Sequence, residues 1–447
     1  MKTTGNSSRK SFYITTLGCP KNTADSLHME ESLLKEGLVP AKSAESSDFH
    51  LINTCSFIQS ANEETIDTVL SAARIKKRRR QKLVVVGCFA ERYPNEIKTD
   101  IPEVDLVFGT GRYKEAGSIL SQNFSKDFLN STATSEIETR EQITSRIKNE
   151  NLPYSYIKIS DGCNRGCNFC IIPNLRGKFR DRPEEEILSD IDLALNSGKK
   201  EICLVSQDTN FYGKDIDSLK NLIRKISEFN GLEILRLLYL YPDKKTHQLL
   251  DLFSEVPNLA PYFESPIQHV SQKVLKSMNR SGSLEFYEDL FSKARNLKKD
   301  LEIRTSIILG YPGETEEDVN QVETFIRKVR PEKLALFSFS PQEGTEAFNR
   351  EDDVEESEKA RRINHIRNIH LEILKETHLN RIGKSFPAIV DKVTKTETIV
   401  RRFQDAPEID EVVFTNTPNL KVGMIGNVKI ESFAEYDMEG SFLISEN

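Results

Sequence analysis

The sequence predicts an α/β chain in three parts: an N-terminal parallel-sheet βαβ domain, a central (βα)6 partial barrel and a small antiparallel C-terminal β-barrel. Three patterns point to it. Cys19, Cys55 and Cys88 each close a strand-like run, and they stand 36 and 33 residues apart, near the length of one βαβ unit. Six strand candidates separated by helical stretches follow between residues 154 and 339. Five short strand candidates then crowd residues 386–445, a density that suits a small barrel.

The first part spans residues 10–125. Residues 12–17 read as a strand ending in Gly18, Cys19 and Pro20, with Asn22 or Thr23 as the cap of a helix that stops near Gly37. Residues 49–53 form the next strand, ending at Thr54 and Cys55, and a helix follows over 59–80. Residues 83–86 end at Gly87 and Cys88, and a last strand lies at 104–108. Strands alternating with helices imply a parallel sheet. In such a sheet the carboxyl ends of the strands lie side by side, so three thiols far apart in sequence converge there. The basic run Lys76, Lys77, Arg78, Arg79 and Arg80 reads as a solvated helix C-terminus, where the dipole favours cations.

Residues 126–150 are polar and read as a linker. The second part, 151–380, carries strands at 154–160, 201–207, 233–240, 262–268, 302–309 and 333–339. Helices lie between them, for example at 183–196, 219–228, 285–297 and 315–329, and a charged helix at 355–380 closes the set. The third part, 381–447, has strands at 386–390, 396–402, 412–414, 425–430 and 442–445.

Composition narrows the function. The 447 residues are 37% hydrophobic and 29% charged, as in a soluble globular protein. No apolar run approaches the ~18 residues of a membrane span, and residues 1–10 lack the apolar core of a signal peptide. The expectation is therefore a cytoplasmic protein with no membrane partner. A net charge of -7 argues against a chain built mainly to grip nucleic acid.

The seven cysteines are Cys19, Cys55, Cys88, Cys163, Cys167, Cys170 and Cys203. An odd number in a large chain without a secretory signal favours free thiols or metal ligands over disulfides. Cys163, Cys167 and Cys170 fall within eight residues, with gaps of three and two. Zinc would want a fourth ligand, and the nearest histidines, His50 and His247, are distant in sequence. Three thiolates on an iron–sulfur cluster leave one iron open, and an open position is a catalytic one. The strand-end set Cys19, Cys55 and Cys88 supplies three thiolates again. Cys203 lies within the apolar run Ile202, Cys203, Leu204 and Val205 and reads as core.

The triplet Cys163, Cys167 and Cys170 resembles the signature of the radical S-adenosylmethionine (SAM) superfamily. Further stretches extend the likeness over nearly the whole chain. They include Ser160 to Asn164, Ile172 and Pro173 with Arg176 and Gly177, Ser206 to Asp208, and Tyr212 with Gly213. Pro266 to His269, Met278 to Arg280 and Gly310 to Thr315 continue it. With its three-cysteine N-terminal part and its small C-terminal barrel of the TRAM type, the chain looks like a radical-SAM methylthiotransferase. The run from Asp405 to Asp410 resembles the branch that acts on ribosomal protein. Arg401 and Arg402 stand where that branch more usually has Gly and Arg.

The resemblance implies two four-iron, four-sulfur (4Fe-4S) clusters, one on Cys163, Cys167 and Cys170 and one on Cys19, Cys55 and Cys88. It implies SAM as radical source and methyl donor, a low-potential electron donor and a sulfur donor. The reaction implied is attachment of a methylthio group to the β-carbon of an aspartate in a basic small-subunit ribosomal protein. An aspartate β C–H is not usefully deprotonated by a side chain in water, so radical chemistry belongs to the cofactors. The transfer-RNA (tRNA) branch shares both cysteine sets and is the alternative; a two-cluster electron carrier is a further one.

Other positions carry expectations of their own. Gln207, Asp208 and Gly310 end barrel strands on the catalytic face and are candidates to bind SAM, against a turn role. His269 is weighed the same way against a structural histidine, and Phe169 packs beside the loop cluster. Residues 381–447 hold eight Lys or Arg and eleven Asp or Glu. Asp405, Glu408 and Asp410, with Glu411, are the candidate dock for a basic ribosomal protein.

Overall fold

The computed structural model describes residues 10–76, 80–124 and 152–444. The linker at 126–150 and Lys77 to Arg79 of the basic run lie outside the described residues. The chain resolves into two compact units: one takes the N-terminal part together with Cys170–Lys178, and the other takes Lys148–Phe169 with Phe179–Asn447.

The first unit is built on five parallel strands: β1 (Ser11–Thr16), β2 (Val39–Pro40), β3 (Phe49–Thr54), β4 (Lys82–Gly87) and β5 (Leu106–Phe108). Their order is β2-β1-β3-β4-β5. Strand alternation sets the two faces. Val84 and Val86 pack with Met29, Leu33 and Ile119 of helices Pro20–Lys35 and Ala116–Asn123. Leu83 and Val85 pack with Val69, Ala72 and Ala73 of helix Gln59–Lys76. Helix Pro20–Lys35 starts at its proline, with Cys19 rather than Asn22 or Thr23 at the N-cap. Proline fits that first position because its fixed φ suits the helix and its missing N–H has no partner there anyway. The two-residue edge strand β2 is too short to carry a hydrophobic alternation.

The second unit begins with β6 (Tyr154–Lys158), followed by β7 (Ser160–Asp161), β8 (Arg180–Asp181), β9 (Glu201–Val205), β10 (Ile234–Leu237), β11 (Tyr262–Glu264), β12 (Glu302–Leu309) and β13 (Lys333–Ser338). Strands β6, β9 and β10 form one parallel sheet and β11, β12 and β13 another. A parallel bridge between Leu235 and Leu259 links them, giving six consecutive parallel strands in a partial barrel. Their helix-facing sides and the surrounding helices share one large apolar core that includes Leu204, Leu235, Phe263 and Ile303. The short antiparallel pair β7–β8 brackets the cysteine loop. The 26-residue helix Glu356–Arg381 closes the set.

The last five strands are β14 (Ser385–Val393), β15 (Thr398–Arg402), β16 (Val413–Thr415), β17 (Ile425–Ala434) and β18 (Asp437–Ile444). They close a barrel in the order β14-β15-β16-β18-β17. The pairs are antiparallel except β16–β18, which is parallel. An odd number of strands cannot close on antiparallel pairs alone, so one parallel seam is obligatory.

Candidate functional site

In the first unit β1, β3 and β4 are neighbours, and Cys19, Cys55 and Cys88 follow their carboxyl ends. The strand order turns back on itself between β1 and β3, the place where open α/β sheets bind ligands. Side-chain bonds fix the three ends to one another. Asn22 Nδ2 donates to Leu17 O at 2.8 Å and Thr54 O at 3.0 Å, joining the ends of β1 and β3. Thr54 Oγ1 donates to Val86 O at 2.6 Å and accepts from Phe89 N at 3.1 Å, joining β3 to the start of helix Cys88–Arg92. Gly18 has φ +89, and a Cβ there would lie 2.8 Å from Cys55 Sγ. Only glycine lets the Cys19 loop pass so close to that sulfur.

Burial, with the nearby Cys19 and Cys88 adding to it, pushes the Cys55 thiol up to about 12. Burial also raises Cys88, while the charge of Arg176 works the other way. Two buried thiols with a third, half-buried, at the neighbouring strand end suit a metal centre, which binds thiolates in place of their protons. The donor set therefore fits a cluster held by three sulfurs.

The loop between β7 and β8 carries the other triplet. Cys163 and Cys167 belong to the second unit, and Cys170 opens the segment that packs in the first. Arg165 N donates to Cys163 Sγ and Arg280 Nη1 to Cys167 Sγ, each at 3.5 Å. N–H donors aimed at sulfur are the outer partners a metal-bound thiolate takes. The segment from Ser277 to Arg280 clips the loop in place: Asn168 Nδ2 donates to Ser277 O at 2.9 Å and Asn279 Nδ2 to Gly166 O at 2.7 Å. Phe169 packs against Val274, Met278, Tyr311 and Phe339. A cavity of about 380 Å³ beside the loop is lined by Arg165, Tyr241, Lys276, Asn279 and Arg280 among others.

The strand-end candidates separate. Gln207, just after β9, has both amide atoms buried without a hydrogen-bond partner. A buried amide in that state is poised for a polar ligand. Asp208 is 2% exposed and gripped by Arg165, which also pairs with Asp243 at 2.8 Å and lies 3.8 Å over the Tyr241 ring. Burial raises its carboxyl despite that guanidinium. Gly310 has an internal reason to be glycine: at φ +77, a Cβ would sit 2.3 Å from Lys359 Cγ. His269 is fully buried, accepts from Ser271 N at 3.0 Å and faces Glu314 at 3.3 Å, while its Nε2 makes no hydrogen bond. Cys203 is fully buried in β9 beside Glu201.

The acidic loop corrects the docking expectation. Asp405 is fully buried, 2.8 Å from Arg402 and 3.0 Å from Lys333. Asp410 accepts from Arg304 at 2.5 Å, and Glu411 is 7% exposed. Only Glu408 is exposed. These carboxylates seal the C-terminal barrel onto the amino ends of the central strands, where Glu302 and Lys333 begin β12 and β13. The carboxylates of Glu302, Asp405 and Glu411 lie within 4.8 Å of one another. Lys333, Arg381 and Arg402 fill the space among them, so the cluster is an ion-pair network. A second network joins Glu201 to Arg236 at 2.7 Å and to Arg401 at 2.6 Å. Net charge could not disclose this, because it ignores which charges are already paired.

A (βα)6 partial barrel with a three-cysteine loop after its first strand defines a radical SAM enzyme. Residues 157–326 match the Radical SAM superfamily, 11–109 the Uncharacterized protein family UPF0004 and 382–443 the TRAM domain. The chain is 58% identical over 439 residues to the ribosomal protein uS12 methylthiotransferase RimO of Leptospira biflexa serovar Patoc, covering 98% of each chain. It is 38% identical to the protein of that name from Thermodesulfovibrio yellowstonii, covering 96% of this chain and 99% of the other. Among solved structures, the radical SAM methyltransferase TsrM from Kitasatospora setae shares the fold, with a TM-score of 0.51 and 14% identity over 74% of this chain and 73% of that one. The chain belongs to the ribosomal protein uS12 methylthiotransferase family. It is accordingly a radical SAM transferase that uses SAM and 4Fe-4S clusters, and neither the tRNA branch nor a bare electron carrier describes it. No helix among the described residues is long and apolar enough to cross a membrane.

Sequence reading gave no role to three arginines. Arg165 sits inside the cysteine motif and Arg280 ends the Met278 to Arg280 stretch, so each carried a signal of position. Arg176 closes the short helix Ile172–Arg176 and is 4% exposed.

Proposed function

We propose that the chain attaches a methylthio group to the β-carbon of an aspartate in ribosomal protein uS12, in the cytoplasm, drawing on a low-potential electron donor and a sulfur donor. In this reading Cys163, Cys167 and Cys170 hold the SAM-binding cluster and Cys19, Cys55 and Cys88 hold the second. When bound, these groups supply reductive cleavage of the SAM sulfonium bond and the sulfur for transfer. The observation that carries the reading is the pair of three-thiol sets, each one ligand short of closing a four-iron cluster, in a chain 58% identical to a uS12 methylthiotransferase.

The protein's own groups then have definite tasks. Arg165 and Arg280 direct N–H donors at the loop sulfurs and stabilise their negative charge. The buried Gln207 amide offers a donor and an acceptor to the polar part of SAM. Asp208 acts through Arg165, holding that guanidinium over Tyr241. The C-terminal barrel keeps its acidic loop for internal pairing, so substrate recognition falls to other surfaces.

The test is direct. Anaerobically reconstituted enzyme is given SAM, a reductant, sulfide, purified uS12 and tRNA in one reaction. Mass spectrometry should find one methylthio group in place of a hydrogen on an aspartate of uS12, and none on tRNA. Modified tRNA with untouched uS12 would refute the substrate assignment.

A further inference from the structure

Within the first unit, a guanidinium stands beside the strand-end cysteines. Arg176 Nη1 pairs with Asp25 Oδ2 at 2.9 Å, and Nη2 donates to Asn22 Oδ1 at 2.8 Å. Arg176 is 4% exposed and Asp25 not exposed at all. Asn22 is the same residue whose Nδ2 holds Leu17 O and Thr54 O, the backbone just ahead of Cys19 and Cys55. Leu175, on the same short helix as Arg176, and Ile171 at that helix's N-cap pack with Cys88. Burying a guanidinium carries a large desolvation penalty, which nearby negative charge offsets. Negative charge at the cysteine site would contribute to that compensation. The Arg176 charge reaches both Cys55 and Cys88, while Asp25 opposes it at Cys88.

We infer that Arg176 is the positioning residue and counter-charge of the Cys19, Cys55 and Cys88 site, and that the Arg176–Asp25 pair sets the reduction potential of the cluster held there. The inference rests on the proposed assignment of those three cysteines as ligands. One-electron reduction adds a negative charge to the cluster. A fixed cation nearby stabilises the reduced form, and a fixed anion disfavours it; in a sheltered site neither effect is screened well. Arg176 also pins Asn22, so it holds the loop ends that present two of the three sulfurs.

The experiment uses the full chain carrying Cys163→Ala, Cys167→Ala and Cys170→Ala, so that only the strand-end cluster remains. After anaerobic reconstitution, iron and acid-labile sulfide are counted and the midpoint potential is read by EPR-monitored reductive titration. Arg176→Met should shift the potential down and Asp25→Asn should shift it up. A tenfold change in the reduction equilibrium, about 59 mV, is the size expected for each. Arg176→Lys keeps the charge and should fall between Arg176→Met and the parent. Opposite shifts are the decisive signature, because a merely structural pair would lose iron in both variants without moving the potential in two directions. Unchanged potentials, or shifts of one sign, in variants that keep their iron overturn the inference while leaving the ligand assignment intact. If the parent triple variant binds no cluster, the ligand assignment itself falls, and the inference with it. Should Arg176→Met fail to hold iron, Arg176→Lys and Asp25→Asn still decide the sign.

Discussion

Cys163 and Cys167 sit four residues apart on one loop, half-buried, with backbone and guanidinium N–H groups turned toward their sulfurs. Cys19, Cys55 and Cys88 come from the ends of three strands, the last two buried, and are held by a mesh of Asn22, Thr54 and Gly18. The first set is local, so chain spacing alone fixes its geometry. The second exists only once the sheet has formed, so its geometry is a property of strand order. A half-buried local loop remains accessible to a small cofactor, whereas strand ends cross-tied by side chains make a rigid, sheltered seat. That difference matches a division in which the loop set activates SAM and the strand-end set keeps sulfur away from water.

Breaking each set in turn tests the division, and the largest effect belongs to the loop. Cys163→Ala should reduce formation of 5′-deoxyadenosine from SAM to background, with the iron of the strand-end site retained. Anaerobic turnover followed by chromatography checks it. Cleavage at the parent rate would show that the loop triplet is not the SAM site. Next, Cys55→Ala should leave SAM cleavage within about tenfold of the parent, roughly 1.4 kcal/mol in barrel-side activation energy, while methylthiolated uS12 falls to background. If cleavage disappears while the loop cluster is spectroscopically intact, the two sets do not work separately.

The sequence disclosed these two sets by different signals. The loop triplet is plain from spacing, because three cysteines in eight residues need no fold to bring them together. The strand-end set emerged from recurrence at 36 and 33 residues combined with the rule that parallel strands align their ends. Periodicity also marked the six central strands, but β10 and β11 proved shorter than the apolar runs that suggested them, since those runs continue into buried loops. What stayed hidden was pairing between distant charges. Asp405 and Asp410 look like a solvated acidic loop, and nothing local reveals that Arg402, Lys333 and Arg304 wait for them. Arg176 was hidden for the same reason, its partner Asp25 lying 151 residues away.

The ion-pair network offers a third, smaller break, this time in stability rather than chemistry. Burial alone would raise the Glu302 carboxyl, but Arg381, Arg402 and Lys333 together hold it well below its usual range. Glu302→Gln would leave those three cations with too little negative charge, and removing one partner from a buried network costs about 3–5 kcal/mol. Chemical denaturation should register the loss. Iron content of the folded protein should stay at the parent level, since the network lies at the strand ends opposite the cysteine loop. A variant that unfolds at the parent midpoint would mean the pairs contribute nothing net.

The smallest effect is expected at the seventh cysteine, and it sharpens the comparison by supplying a cysteine that belongs to neither set. Cys203 lies in the middle of β9 with every residue of that strand buried, and its thiol donates to Glu201 Oε1 at 3.5 Å. Burial pushes that thiol well above its ordinary value, and the Glu201 carboxylate adds to the shift. Its sulfur stands mid-strand beside Glu201 and belongs to neither triplet, so it packs as core rather than serving iron. Cys203→Ala should leave the iron and sulfide content unchanged and lower stability by about 1 kcal/mol, the typical cost of a core substitution. Loss of half the iron in this variant would place Cys203 among the ligands and dissolve the contrast between a loop set and a strand-end set.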